Sequence, residues 1–229
     1  MTSNIGILNE SALHKSLKEL QVDTGDEIEC DVEGYIVDVK KADRIVEIQT
    51  SNLHRVARKI QDLVRNHFLH LVYPIAEQTT ITKSLADGSV TRRKSPKRGT
   101  IYDIFGALVS APTIISHPKF SLEVPMIHEE QIRVFDNSKA WRRRHWVIVE
   151  RRLIEPINTH IFNDEKDLWS LFSDLLPETF TSKEVAHCVG IGRRLAQQSL
   201  YCLRRCGVVE MVGKKGNELI YQTTCQAKR

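Results

Sequence analysis

The order of apolar and polar positions predicts two neighbouring strands early in the chain. Tyr35, Val37 and Val39 recur with a period of two, which places them on one face of a strand. Residues 45–49 repeat the same alternation, and the polar residues 40–43 lie between the two segments. We therefore predict an antiparallel pair of strands joined by a short turn.

Amphipathic helices are predicted on either side of these strands, at residues 10–20 and 51–66. Asn9 or Ser11 supplies a side-chain cap for the first helix. The predicted apolar stripes are Leu13, Leu17 and Leu20 in the first helix and Leu53, Val56, Ile60, Leu63 and Val64 in the second. Glu10, His14 and Lys18 form a second stripe on the first helix, which a solvated face also explains.

Beyond these helices the pattern predicts a strand at residues 70–75 and an exposed basic loop at residues 82–99. A helix is predicted at 102–109, followed by strands at 120–127, 131–135 and 147–150. Helices and strands mixed in this order indicate an α/β protein with a mixed sheet flanked by helices.

Composition narrows the class of protein. The 229 residues are 41% apolar, which suffices for one large domain or two small ones. No apolar run reaches the length of a membrane span, and the first ten residues lack the features of a signal peptide. We expect a cytoplasmic protein with no membrane partner. Of the five cysteines, Cys202 and Cys206 with nearby His187 suggest half of a metal site, but buried reduced thiols explain them as well.

Charge is segregated along the chain although the net charge is only +4. Residues 1–82 carry 9 basic and 13 acidic side chains, whereas residues 83–155 carry 14 basic and 8 acidic ones. An acidic part that binds cations, next to a basic part that binds phosphates, suits a protein that acts on nucleic acid.

Asp38 and Glu47 are the candidate metal ligands. They lie near the adjoining ends of the two predicted strands, so antiparallel pairing brings them together. Two converged carboxylates form a hard oxygen site suited to Mg²⁺ or Mn²⁺. The alternative is a β-hairpin with two solvated acids.

These residues resemble the core of the PD-(D/E)XK, or restriction-endonuclease-like, nucleases. The resemblance covers roughly residues 8–82 and rests on Gly34-x-Ile36-x-Asp38, a turn, and Glu47-x-Gln49 followed by a helix. It implies a mixed sheet with Mg²⁺ (or Mn²⁺) held by Asp38, Glu47 and the Ile48 carbonyl.

The resemblance also implies roles for three more residues. Family members usually have lysine where this chain has Gln49, and some branches pair Glu-x-Gln with a lysine on the following helix, for which Lys59 is the candidate. The preceding helix often supplies a further acid, which is here Glu10. The predicted catalytic set is thus Asp38, Glu47, Gln49, Lys59 and Glu10.

The last third of the chain has a different pattern of elements. Helices are predicted at residues 167–176, 183–189 and 193–206, with a glycine-containing turn before the third helix and a β-hairpin after it. This order resembles a winged helix-turn-helix domain over residues 165–223. Winged helices bind DNA in many proteins and bind other proteins in some.

The candidate nucleic-acid contacts combine the basic segments with this domain. Arginine and glutamine suit guanine and adenine edges, and lysines suit phosphates. The predicted residues are Arg92, Arg93, Lys94, Lys97, Arg98, Arg142, Arg143, Arg144, Arg193, Arg194, Gln197, Gln198, Tyr201, Lys214 and Lys215.

We thus predict a nuclease-like domain at residues 1–155, with a basic extension at 83–155, and a winged helix-turn-helix domain at 156–229. The leading hypothesis is a metal-dependent nuclease that binds DNA, more readily as a duplex, and that can act as a homodimer. One alternative is a DNA-binding or regulatory protein on a nuclease-derived fold that has lost catalysis. Another is an interaction subunit of a nucleic-acid-processing complex.

Overall fold

A computed structural model of the chain describes residues 11–85, 88–139, 141 and 145–224. Within these residues eight strands form one mixed sheet. The strands are β1 (Glu27–Val32), β2 (Tyr35–Lys40), β3 (Ile45–Ile48), β4 (Leu69–Val72), β5 (Ile75–Ser84), β6 (Val90–Lys94), β7 (Phe120–Phe135) and β8 (Trp146–Phe162). Their order is β1-β2-β3-β4-β7-β5-β6, and β8 pairs with β7. The predicted mixed α/β sheet is confirmed.

Helices cover both faces of this sheet. On one face, α1 (Ala12–Glu19) packs Leu13 and Leu17 against Val39, Val46 and other buried sheet residues. On the other face, α2 (Ala57–Leu63) and α3 (Ile104–Leu108) contribute to the larger apolar core. The central strands β3 and β4 are buried along their whole length because both of their faces are covered.

The two predicted early helices are shorter in the structure. Ser11 caps α1, where its side chain accepts a hydrogen bond from the His14 amide. The segment predicted as one helix at residues 51–66 is a 3₁₀ turn (Leu53–Arg55) followed by α2. Asn52, at a φ of 40°, lies in the left-handed region, so the chain turns sharply after β3 before it becomes helical.

The prediction of an exposed loop at residues 82–99 is wrong for residues 82–84 and 90–94, which are strand. The chain continues β5 to Ser84 and returns in β6, so Arg92, Arg93 and Lys94 lie on an edge strand. The sequence of β6 shows no alternation of apolar and polar residues, because every side chain of this edge strand is exposed to solvent. Charged side chains at a sheet edge also oppose pairing with another chain.

Strands β7 and β8 are longer than predicted. The two segments predicted at 120–127 and 131–135 are one strand, whose pairing with β8 shifts register at bulges. β8 runs from Trp146 to Phe162, so the predicted domain boundary at 155/156 falls inside a strand. The change from long strands to short elements follows Phe162.

The C-terminal segment comprises three helices and a three-stranded antiparallel sheet of order β10-β11-β9. The elements are α4 (Glu165–Ser170), β9 (Thr179–Thr181), α5 (Ser182–Val189), α6 (Arg193–Arg205), β10 (Val209–Lys215) and β11 (Glu218–Thr223). Thr181 and Glu184 form a capping box at the start of α5. This unit shares the larger apolar core, because buried α6 residues pack against α3. No helix among the described residues is long and apolar enough to cross a membrane.

Candidate metal and nucleic-acid site

The antiparallel pairing of β2 with β3 brings the two predicted metal ligands together. Val39 is opposite Val46 and Lys40 is opposite Ile45. One position further along this register, Asp38 stands opposite Glu47. Directly opposed residues in an antiparallel pair have Cβ atoms about 4.5–5.5 Å apart. The two carboxyl groups therefore belong to one site at the end of β3.

Asp38 is held as a carboxylate by donors on both sides. The Ile48 amide donates to its Oδ2 at 2.8 Å, and Nε2 of His14 on α1 lies 3.3 Å from the same oxygen. Burial by itself raises the pKa of Asp38, but His14, the Ile48 amide and Lys59 together outweigh burial and hold that pKa below its ordinary value. Asp38 is therefore ionised at neutral pH.

Glu47 is in a contrasting environment. It is only 4% exposed, and Nζ of Lys59 on α2 lies 2.5 Å from its Oε1. Oε1 is fully buried, and its partner is the Lys59 ammonium, with which it forms an ion pair. Burial, with a further contribution from the Asp38 charge, raises the pKa of Glu47 from an ordinary value near 4.5 to about 7 although Lys59 opposes the shift.

The donor set fits a small hard cation. Mg²⁺ is usually held by one or two carboxylates together with water and substrate phosphate oxygens. Asp38 offers a charged carboxylate, and Glu47 offers a second carboxyl group whose buried Oε1 contacts the Lys59 ammonium. In the described part of the chain no group of three or more His, Cys, Asp or Glu side chains is arranged to hold a metal. A cation here would thus use two protein carboxylates.

We expect His14→Ala to raise the pKa of Asp38, because the substitution removes one of the two groups that contact Oδ2 and leaves only the Ile48 amide. A pH titration of the carboxyl carbon signals by NMR measures this shift. His54→Ala is the control, since His54 is exposed on the turn after β3. An Asp38 signal that titrates at the same pH with and without His14 would show that this contact does not set its ionisation.

Of the other predicted catalytic residues, Lys59 lies at the carboxylates and Gln49 does not. Lys59 points to Glu47 as predicted and also donates to the Ile36 carbonyl at 2.6 Å. Gln49 instead turns its amide toward the backbone carbonyls of Ser51 and Asn52, away from the carboxylates. Glu10 lies outside the described residues, and the Ile48 carbonyl stays a predicted ligand.

The basic residues of the middle third lie on an exposed edge. Arg92 approaches Glu130 at 3.4 Å, and Arg93 donates to the neighbouring Lys94 carbonyl. Lys97 and Arg98, on the loop after β6, are also exposed. Arg142, Arg143 and Arg144 lie outside the described residues.

The predicted contacts of the C-terminal unit divide into exposed and engaged groups. Arg194, Gln197 and Tyr201 are exposed on α6, as are Lys214 and Lys215 at the end of β10. Two other α6 residues are engaged within the chain: Arg193 forms an ion pair with Glu218 at 2.6 Å, and the half-buried Gln198 lies beside Gly106 of α3.

Sequence reasoning missed one residue of the site. The sequence does contain a signal for His14, because His14 lies on the same helical stripe as Glu10 and Lys18, but a solvated helix face explains that stripe equally well.

Cys202 and Cys206 are reduced and donate to the carbonyls of Phe105 and Pro112. Burial raises the pKa of Cys202 to about 12, which favours the structural explanation over a thiolate ligand.

Comparisons with known proteins identify relatives of this chain. The family described as "Domain of unknown function (DUF8091)" matches residues 11–163, which span the sheet from α1 to the end of β8. An uncharacterized protein of Treponema pallidum (strain Nichols) is 32% identical over 221 residues, covering 95% of this chain and 87% of its own length. No solved structure matches. Since the match covers well over half of the sequence, the chain belongs to the DUF8091 family.

Proposed function

We propose that the protein is a metal-dependent nuclease that binds DNA and hydrolyses its phosphodiester bonds. The observation that carries the proposal is the pairing of Asp38 with Glu47 at one strand end, with Lys59 beside Glu47. Helix, antiparallel strands, helix and parallel strand follow in the order of the PD-(D/E)XK core, and we propose that the sheet is of this restriction-endonuclease-like type.

The residues have distinct roles in this proposal. A bound Mg²⁺ or Mn²⁺ would polarise the phosphodiester and lower the pKa of its water ligand. Asp38, kept ionised by His14, supplies permanent negative charge for cation binding. Glu47 must lose its proton to become a ligand. Lys59 holds positive charge at the site edge, where it can orient the attacking water or neutralise charge that develops on phosphate oxygens.

We also propose that the C-terminal unit is a winged helix-turn-helix domain. The helices α5 and α6 are separated by Gly190 in a left-handed conformation, and the β10–β11 hairpin follows as the wing. The exposed face of α6 bears Arg194, Gln197 and Tyr201, and Arg204 and Arg205 extend it by one turn. With the basic edge strand β6, this face supplies the DNA-binding surface.

Charge reversal on the edge strand and its loop is expected to weaken binding on all DNA sequences alike. Phosphate contacts release counterions and carry no base information, so Arg93→Glu, Lys94→Glu and Arg98→Glu together should lower duplex affinity about tenfold or more and flatten its salt dependence. The control reverses three exposed cations elsewhere, Lys15, Arg65 and Lys166. Equal weakening by both triple variants in a gel-shift titration would mean that only net charge matters.

The test of the proposed activity is incubation of the purified protein with Mg²⁺ or Mn²⁺ and a panel of duplex DNA, single-stranded DNA and RNA. We expect cleavage that EDTA abolishes.

A second candidate is a DNA-binding protein on the same fold without catalysis. It is favoured by Gln49, which replaces the usual lysine and turns away from the carboxylates. DNA binding without cleavage under every metal condition would select this second candidate.

A further inference from the structure

A cleft of about 450 Å³ lies next to the C-terminal end of β3. Its wall begins at Thr50, Ser51 and Asn52, the residues that follow β3, and continues along β5 and the C-terminal half of β7. Its volume falls within the range of about 300–1,000 Å³ that is typical of small-ligand pockets. Asp38 and Glu47 lie outside this cleft.

An ion pair between the buried Glu129 and the partly exposed Arg151 lines the cleft. Glu129 is 1% exposed; Nε of Arg151 donates to its Oε2 at 2.7 Å, and Nη2 of Arg151 lies 2.6 Å from the same oxygen. Gln131 donates to the other carboxylate oxygen at 2.6 Å, so both oxygens of Glu129 are engaged. Glu129 is therefore a positioning group for the guanidinium and is already satisfied without a metal ion.

The same network fixes a second guanidinium in the cleft wall. Nη2 of Arg133 donates to the Gln131 side-chain oxygen at 2.6 Å, so Glu129, Gln131 and Arg133 form a chain of hydrogen bonds along β7. Arg151 completes the frame, because its Nη1 donates to the Thr50 carbonyl at 2.9 Å. Two arginines are thus oriented before any ligand arrives, which lowers the entropy cost of binding.

The loop after β6 adds a third cation at the mouth. The Ser95 and Gly99 amides donate to the Thr79 and Ala76 carbonyls at 2.8 and 2.9 Å, which fixes the loop against β5. Gly99 is required for this approach, since a Cβ there would lie 2.7 Å from the Ala76 carbonyl oxygen. Lys97 is carried on the loop between these two anchors.

Hydroxyl groups, apolar groups and the Asp103 carboxylate, which accepts a hydrogen bond from the Thr100 amide, also line the cleft. Thr79 and Ser95 offer hydroxyls beside the cations, and Tyr73, Pro74 and Ile75 supply an apolar wall. This combination matches one nucleotide unit. The cations and hydroxyls would bind its phosphate, and the apolar wall would contact its base or sugar.

We propose that this cleft binds a phosphate of the substrate strand, held by Arg133 and Lys97 with Arg151 as part of the frame. The inference rests on the proposed nuclease function and assigns a specific phosphate subsite to it. Thr50 follows Glu47 by three residues, which is about 10 Å of extended chain, so the subsite lies within a few nucleotides of the carboxylates. The phosphate is either a terminal monoester or an internal diester of the same strand.

Binding without metal tests the subsite separately from cleavage. The probe is a short fluorescent single-stranded DNA in EDTA, prepared with a 5′-phosphate, with a 3′-phosphate or with neither, and measured by anisotropy. We expect Arg133→Gln and Lys97→Ala each to weaken binding about tenfold, as the loss of a charge-assisted phosphate contact does. Arg65→Gln is the matched control, because this exposed arginine lies at the opposite end of the sheet, before β4.

The outcomes separate the possible phosphates. A terminal phosphate predicts that the wild-type protein prefers one phosphorylated end and that Arg133→Gln removes the preference. An internal phosphate predicts equal weakening of all three probes. If both variants bind every probe as Arg65→Gln does, the subsite is wrong.

Two features of this test separate a loss of folding from a loss of phosphate binding, and a loss of binding from a loss of cleavage. Because Lys97 is on the surface, Lys97→Ala tests the proposal even if Arg133→Gln loses stability in a thermal melt. A protein that binds through this cleft but never cleaves would contradict the proposed nuclease activity and leave the phosphate subsite standing.

Discussion

Asp38→Asn and Glu47→Gln are each expected to lower the rate of metal-dependent cleavage by at least about 100-fold. Each substitution preserves side-chain size and removes one carboxylate from the site, Asp38 from β2 or Glu47 from β3. Single-turnover cleavage of the best substrate in the panel, at saturating Mg²⁺, measures the effect. Duplex affinity without metal should change little, because the basic surface is elsewhere.

Asp43→Asn is the matched control for this pair of substitutions. Asp43 lies in the turn of the same hairpin, at the far end from the site, and its carboxylate pairs with Arg44 on the surface. A loss of cleavage in Asp43→Asn as large as in Asp38→Asn would point to a general effect on the hairpin. Lys59→Ala extends the series: full activity in this variant would remove Lys59 from the mechanism.

The second large expected effect is that ionisation of Glu47 makes the free energy of unfolding of the metal-free protein depend on pH. The folded-state pKa of Glu47 is raised from about 4.5 to about 7, so between these pH values the folded state holds a proton that the unfolded state has lost. The free energy of unfolding therefore falls as pH rises through this window, by about 3 kcal/mol from this group.

Glu47→Gln should remove that pH-dependent contribution. Denaturant unfolding of both proteins at pH 4.5 and pH 8 measures it: relative to the wild type, the variant should gain about 3 kcal/mol between the two conditions. Mg²⁺ added at pH 8 should restore stability to the wild type only. If the difference between the two proteins is the same at both pH values, Glu47 titrates normally in the folded state.

The hairpin and its two carboxylates could be predicted from the sequence because the information is local. Apolar residues recur at every second position on either side of a four-residue turn, and this pattern fixes the register in which β2 pairs with β3. That register places Asp38 opposite Glu47. The position of Lys59 followed from helical spacing after β3, even though the helix itself begins only at Ala57.

Features that depend on distant parts of the chain could not be predicted in this way. The bond from Arg151 to Thr50 joins residues 101 positions apart, and the Glu129–Arg151 pair depends on the bulged register of β7 with β8. The basic β6 gave no apolar alternation because its side chains are all exposed. His14 meets Asp38 only because α1 packs across the sheet.

The central claim is that Asp38 and Glu47 together hold a divalent cation, and direct Mn²⁺ binding tests it most simply. Electron paramagnetic resonance of free Mn²⁺, titrated with protein at pH 6 and pH 8, measures occupancy without any substrate. We predict saturable binding by the wild-type protein that is tighter at pH 8, because Glu47 must lose a proton with a pKa of about 7. Binding should be lost in Asp38→Asn and retained in Asp43→Asn. No saturable binding by the wild type, or equal binding by Asp38→Asn, would contradict the claim.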